Sequence, residues 1–296
     1  MSRISGTAAG SAGAPNVDPR TVEDFGREWT TFDQSELGRE ERERSFAAYF
    51  AVFPWDRISR AAVGFDFGCG SGRWAGLVAP RVGRLHCVDA SEAALVVARR
   101  NLADRANCEF HLATAEDLPF ADSSMDFGYS LGVLHHLPDP VRGLSACVRK
   151  LRPDAPFLLY VYYRFDNRPA WFRRLWQASD LLRRALSRAP HEVKLPVSGL
   201  IAATVYWPLA RIARAIERRG VDVSAFPLSF YRNSSFYTMR TDALDRFGTR
   251  VEFRFTRDEI RSMMEQAGLE HVAFGEMEPF WCAVGRKRRA AEPSAA

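Results

Sequence analysis

Residues 65–73 read Phe-Asp-Phe-Gly-Cys-Gly-Ser-Gly-Arg. An apolar run, 61–67, leads into this stretch, and 73–80 leads out as a helical segment stopped by Pro80. Gly68, Gly70 and Gly72 let the backbone turn sharply from strand to helix and approach a ligand without Cβ clashes. The spacing is G-x-G-x-G. The dinucleotide pattern G-x-G-x-x-G needs glycine where Arg73 stands, and the triphosphate loop needs G-K-S/T. The turn therefore suits a nucleotide-like ligand but matches neither of those patterns. Taken alone, a glycine triplet is equally a tight structural turn.

The flanking sequence supplies the context. Strand patterns at 84–90, 108–114, 125–132 and 155–163 alternate with helical patterns at 92–104 and 140–151. Ser91 is placed to cap the first of these helices, and Pro140 sits in the first turn of the second. Short links between strands and helices are the signature of a parallel sheet covered on both faces. After a long interruption a helix at 256–269 opens with a capping-box pattern, Thr256 and Glu259, and strands follow at 270–276 and 280–288. Asp89 ends the second strand, 23 residues beyond Asp66. An acid there accepts hydrogen bonds from ribose hydroxyls at the crevice where open α/β sheets bind ligands. The elements 113–120 and 129–140 bring polar and glycine residues to the same edge.

As a set, these residues resemble the class I S-adenosylmethionine-dependent methyltransferases. The matching features are D-x-G-x-G-x-G at 66–72, Asp89, Ala-Glu-x-Leu-Pro-Phe at 115–120, Gly-Val-Leu-His-His-Leu at 132–137, and the closing helix and strand pair. The likeness covers about 61–163 and 255–288. It implies a Rossmann-like, seven-stranded, mostly parallel sheet with helices on both faces. It also implies S-adenosyl-L-methionine as cofactor and S-adenosyl-L-homocysteine as product. By that resemblance Asp66, Gly68, Cys69, Gly70, Gly72 and Arg73 hold the methionine end. Asp89 and Ala90 hold the ribose, Ala115 and Glu116 the adenine, and the Ser130 carbonyl lies near the ammonium. Two positions depart from the family pattern. Thr114 stands where many relatives carry an adenine-recognising acid, which leaves that contact to Glu116 or Asp117. The Pro-Gly-Gly turn before strand five is Pro153-Asp154-Ala155.

The domain reading is a tail at 1–18, a helical cover at 19–55, a core made of 56–163 and 249–288, a helical lid at 164–248, and a tail at 289–296. Trp29 and Phe32 belong to the cover and either close over the cofactor or pack in the core. His135, His136 and Tyr163 follow strands four and five, where an acceptor approaches. An imidazole there is a candidate general base, and capping or aromatic packing is the bland reading of these residues.

Composition limits the function class. The 296 residues are 47% hydrophobic and 26% charged, an ordinary globular composition. Five cysteines without a CxxC pair read as reduced thiols, and no HExxH or His/Cys cluster appears, so no metal is expected. His86, His111, His191 and His271 read as isolated. The net charge is +5, but 164–219 alone carries 12 basic and 4 acidic residues. Within the lid, Trp171, Leu175, Ala178 and Leu182 form one apolar helical stripe, and Val205, Leu209, Ile212 and Ile216 form another. Arg164, Arg168, Tyr231, Arg232, Tyr237 and Arg240 are the expected substrate contacts for a small, anionic or sugar-like acceptor methylated on oxygen or nitrogen. The alternatives are a lipid-linked acceptor met by peripheral membrane contact and, less favoured because the motifs of nucleobase enzymes are missing, nucleic acid. The apolar run 197–210 is interrupted by Ser198, Gly199, Thr204 and Pro208 and reads as too short to span a membrane. A cytoplasmic protein is expected, with no nucleic-acid partner.

Overall fold

In the strand 63–67, side chains alternate between the two faces of the sheet. Phe65 and Phe67 enter one apolar layer, while Asp66 lies on the other face beside Tyr129. The computed structural model describes residues 14–289. Its strands are β1 (Val63–Phe67), β2 (Arg84–Asp89), β3 (Cys108–Leu112), β4 (Phe127–Leu131), β5 (Pro156–Tyr160), β6 (Leu269–Phe274) and β7 (Ala283–Lys287). They form one sheet in the order β3-β2-β1-β4-β5-β7-β6, with only β7 antiparallel to its neighbours. The order reverses between β1 and β4, so a crevice opens at the carboxyl ends of these strands. Phe65 lies across the sheet because Gly128 on β4 carries no side chain; a Cβ there would come within 2.5 Å of the Phe65 ring.

The helices are α1 (Pro19–Thr31), α2 (Arg39–Tyr49), α3 (Ala75–Val78), α4 (Glu92–Asn101), α5 (Pro140–Lys150), α6 (Ala170–Leu186), α7 (His191–Ile201), α8 (Trp207–Glu217), α9 (Phe236–Gly248) and α10 (Arg257–Gln266). The local signals act as the sequence suggests. The Ser91 hydroxyl accepts from the Ala94 amide, Asp139 caps α5 ahead of Pro140, and Thr256 with Glu259 completes a capping box. The apolar face of α2 packs Phe46 and Phe50 against Trp55 and Tyr129, which fastens the cover to the sheet.

Two expectations need correction. Residues 14–18, assigned to the tail, belong to the fold. Asn16 is buried, its amide donates to Glu116 Oε2 at 3.3 Å, and its side chain bonds both backbone groups of Asp139. The rest of the expected tail, 1–13, and 290–296 lie outside the described residues. The second correction concerns the lid. α7 and α8 join through a π turn at Ala202–Tyr206 into one continuous helix, His191–Glu217, of 27 residues. By length and composition it is long and apolar enough to cross a membrane. Pro208 does not stop it, because the π turn lies where the proline ring would strike the carbonyl one turn earlier.

The lid has its own small core around Tyr206, Met239 and Phe247. Polar ties bind it to the cover. Lys194, 3% exposed, donates to Asp24 of α1 at 2.7 Å. Glu41 of α2 accepts from the Ser235 amide at 3.0 Å and the Thr238 hydroxyl at 2.8 Å. Replacing Lys194 strands the Asp24 carboxylate in a site where it loses its cation. Lys194→Ala is expected to speed amide exchange across 191–217 by about 10–100-fold, with the β-strands unaffected. Unchanged exchange in that helix would show that the tie does not hold the roof.

Candidate active site

The three glycines of the turn after β1 all adopt positive φ: +77° at Gly68, +51° at Gly70 and +76° at Gly72. The turn hangs from β2, because the Gly68 and Cys69 amides donate to the Val88 carbonyl at 2.8 and 3.0 Å. Asp89 completes the join. Its Oδ2 accepts from the Gly70 amide at 2.9 Å and its Oδ1 from the Ser91 amide at 2.8 Å. Trp29 of α1 lies over the loop, and a Cβ on Gly70 would come within 2.7 Å of the indole. Ala90 borders the underside of α1, where Gly26 approaches Ser91.

The other expected cofactor residues fall at the same strand ends. Ser130 is fully buried and its hydroxyl donates to the Phe67 carbonyl at 3.0 Å, fixing β4 against β1. Ala115 is buried in the loop after β3. Glu116 is engaged by Asn16 and pairs with Arg142, while Asp117 accepts from the Thr114 hydroxyl at 3.0 Å. Asp66 is buried, burial raises its carboxyl well above the ordinary range, and its Oδ2 makes no hydrogen bond.

A cavity of about 530 Å³ begins at this edge and runs beneath the lid. Gly132, at the tip of β4, lines its floor with φ +82°, and a Cβ there would meet no atom within 4 Å. Arg73 also lines it, with its guanidinium 4.2 Å above the Trp74 ring and its Nε without a partner. Of the expected cofactor residues only Arg73 lines this cavity; Asp66, Asp89, Ala115, Glu116 and Ser130 lie at the adjoining strand ends outside its walls, and the room beside Gly132 with the unpartnered Asp66 and Arg73 atoms suits a ligand bearing an ammonium and a carboxylate. S-adenosylmethionine has those groups.

Four carboxyl residues that the sequence reading missed line the cavity: Glu28 of α1, Asp242 and Asp245 of α9, and Glu278, which pairs with Arg168. Burial, and then the charges of Asp245 and Asp242, push Glu28 well above its ordinary range. Burial raises Asp242 to about 6, with Arg73 and the Tyr231 hydroxyl pulling the other way. Burial also raises Asp245, which takes the Tyr162 hydroxyl on Oδ2. Its Oδ1 lies 3.8 Å from His136 Nε2. The spacing of Asp242 and Asp245 on one helical face was the available signal, but it is also the spacing of a solvated face.

The expected catalytic and substrate residues divide. Tyr163 lines the cavity, and its hydroxyl accepts from Arg168 Nε at 3.4 Å. The histidines do not line it. His135 stacks behind Tyr162 at 4.1 Å, both its ring nitrogens lack partners, and burial holds it well below the ordinary imidazole range. His136 Nδ1 is bound to the Val251 carbonyl at 2.6 Å, so this side chain reaches the cavity only through Asp245. Among the substrate candidates, Arg168 and Tyr231 line the cavity. Arg164 instead pairs with Glu259 at 2.9 Å, Arg232 with Glu217 at 2.8 Å, and Arg240 covers Phe32. The Tyr237 hydroxyl accepts from the Gln34 amide at 2.8 Å. None of these four lines the cavity, and each is engaged by another element: Arg164 by α10, Arg232 by α8, and Arg240 and Tyr237 by the segment after α1.

The comparisons agree with this geometry. Residues 65–159 match the family described as a methyltransferase domain. A ubiquinone biosynthesis O-methyltransferase of Hahella chejuensis is 29% identical over 146 residues, 49% of this chain and 58% of the relative. An uncharacterized 37.1 kDa protein in transposon TN4556 of Streptomyces fradiae is 35% identical over 224 residues, 74% of this chain and 59% of the relative. The chain thus spans under two thirds of both. A methyltransferase solved with the Haloferax volcanii Trm112 activator superposes with a TM-score of 0.51 at 17% identity, over 90% of this chain and 98% of that one, a likeness of fold.

Asp89 is the side chain whose loss tests the cofactor end most cleanly. Asp89→Ala is expected to weaken S-adenosylhomocysteine binding by about 10–100-fold in calorimetry, the worth of its charge-assisted hydrogen bonds. An affinity equal to that of the parent chain would remove the assignment.

Proposed function

The chain belongs to the class I S-adenosylmethionine-dependent methyltransferase family, and from that premise we propose that it methylates a hydroxyl oxygen on a small molecule with an apolar body. The observation that carries this reading is the cavity itself. Its inner end holds carboxyl groups and tyrosine hydroxyls, while its outer walls are Leu175, Trp176, Leu182, Ile201, Val205 and Leu209. For an anionic acceptor the cavity offers Arg73 and Arg246, which form no ion pair among the described residues, while the other two lining arginines are already matched. Arg168 brings its own carboxylate, Glu278 at 2.5 Å, and Arg254 brings Glu252 at 2.7 Å.

S-adenosylmethionine, when bound, supplies an electrophilic methyl group on a positively charged sulfur. The residues of this chain contribute alignment, exclusion of water and removal of a proton. Asp242 is the base we favour. It lines the cavity, faces the Tyr231 hydroxyl, and is ionised at neutral pH while still basic enough to accept a proton. The Asp242 carboxylate would take the proton of the acceptor hydroxyl as the methyl group moves from sulfur to that oxygen, the S–C bond breaking and the thioether leaving as S-adenosylhomocysteine. Asp245, held by Tyr162 and backed by His136, orients that wall.

The outer walls support an acceptor with a long apolar tail. Leu175, Leu182 and Val205 line the cavity and are also exposed, and the neighbouring Leu181 and Leu200 are 71% and 62% exposed. A tail entering between α6 and the 191–217 helix would stay in apolar contact out to the surface. Relatives named for ubiquinone biosynthesis are consistent with a hydroxylated aromatic head on such a tail.

Two outcomes are expected. Asp242→Asn lowers kcat by about 100-fold or more while S-adenosylhomocysteine binding stays within about twofold. The rising limb near pH 6 in the parent chain's rate, where Asp242 loses its proton, is absent in the variant. A variant that keeps both rate and limb excludes Asp242 as the base. Among hydroxylated aromatics, prenylated compounds are expected to show the higher kcat/KM, and Leu182→Asp to erase about tenfold of that advantage. Equal use of tailed and tailless acceptors would remove the apolar-tail reading.

A further inference from the structure

His86 and His111 are 25 residues apart in sequence. The parallel register of β2 and β3 sets His86 beside Glu109, and His111 lies two residues further along the same face. The side chains converge. His86 Nδ1 is 2.9 Å from His111 Nε2 and 3.3 Å from Glu109 Oε2. Phe120 packs against both rings, at 4.7 and 5.4 Å between centroids, and limits their rotation. Glu109 is oriented from its other oxygen by Arg84 at 3.2 Å. The reading of these histidines as isolated is thereby corrected.

We infer that His86, Glu109 and His111 form a binding site for a divalent transition-metal ion, zinc by preference. Two imidazole nitrogens and one carboxylate oxygen are the donor set that zinc takes with water in a fourth position. Around one ion in tetrahedral geometry, ligand atoms stand about 3.4 Å apart, given bond lengths near 2.1 Å. The two nitrogens, 2.9 Å apart, need to open by about half an ångström to reach that spacing, the carboxylate oxygen stands near it from His86, and all three ligand atoms lie within 4.8 Å of one another. The nitrogen pair hydrogen-bonds in the metal-free chain, so the rings wait in position. Arg84 holds the carboxylate from its other oxygen, and the Phe120 ring restricts both imidazoles.

The site stands apart from the cavity. It joins the edge strand β3 to β2, and His111 precedes Ala115 by four residues. A bound ion would cross-link the sheet margin that leads into the loop expected to hold adenine. Its role is structural, because no cavity wall is made by these three residues.

The test uses the chain freed of metal and kept reduced. Equilibrium dialysis against zinc is expected to load one ion per chain, and cobalt substituted for it to give the visible bands of a tetrahedral nitrogen–oxygen site. His111→Ala and Glu109→Gln should each weaken zinc binding by about tenfold or more. His271→Asn, on the opposite edge, should leave it unchanged. Glu109→Gln also guards the result, since this exposed side chain can change without disturbing the core. Zinc affinity unchanged in both site variants would overturn the proposal, as would failure of the parent chain to retain zinc. A thiolate-to-cobalt charge-transfer band would place the ion on cysteine and overturn it equally.

Discussion

Three carboxyl groups gathered on one chamber, Glu28 buried and Asp242 and Asp245 half-buried, are the feature on which the rest of this structure depends. Burial raises the proton affinity of all three, the two aspartates raise that of Glu28, and Asp245 raises that of Asp242. Such a group is costly to hide unless something compensates it. Arg73 and the Tyr162 and Tyr231 hydroxyls do so in part. What remains is a site ready to take a proton near neutral pH, which is unusual for an aspartate and useful for activating a hydroxyl. The chamber exists only while its roof is closed, and the roof is made from two distant stretches of chain. α1 supplies Glu28, and α9 supplies the two aspartates. The buried Lys194–Asp24 pair and the Glu41 bonds to α9 therefore serve the chemistry as directly as any wall residue.

The cofactor end rests on a different constraint. The glycine turn, Asp89 and the start of α4 form one hydrogen-bonded unit in which Asp89 ties the loop to the helix cap. This unit sits where the strand order reverses. Any side chain there would strike Val133, Trp29 or Leu102. The turn is thus fixed by the fold itself, which explains why this region was the most legible part of the sequence. Strand periods, caps and glycine spacing all pointed to one topology, and the seven strands lie where the alternation put them.

Legibility failed where the decisive contact was made across the fold. Asp242 and Asp245 belong to a polar helical stretch that reads as solvated, and only the packing of α1, α6 and α7 against α9 turns them toward the cavity. Arg164, Arg232 and Arg240 looked like a basic patch, but each is neutralised or covered by a residue from another element. His135 and His136 were visible as a motif, yet the turn directs both behind Tyr162. His86 and His111 could be joined only by the register of two parallel strands, a property that single-strand periodicity does not encode. The lid helix broke the expectation in the opposite sense. Ser198, Gly199, Thr204 and Pro208 suggested an interruption, and a π turn absorbed Pro208.

One structure would test the central claim most directly: this chain crystallised with S-adenosylhomocysteine. The account predicts the adenosine against Asp89 and Ala115, and the sulfur opening beside Gly132 onto the chamber. The Asp242 carboxylate should face that sulfur across a gap wide enough for one acceptor oxygen. A sulfur turned away from the chamber, or Asp242 turned out of it, would contradict the account.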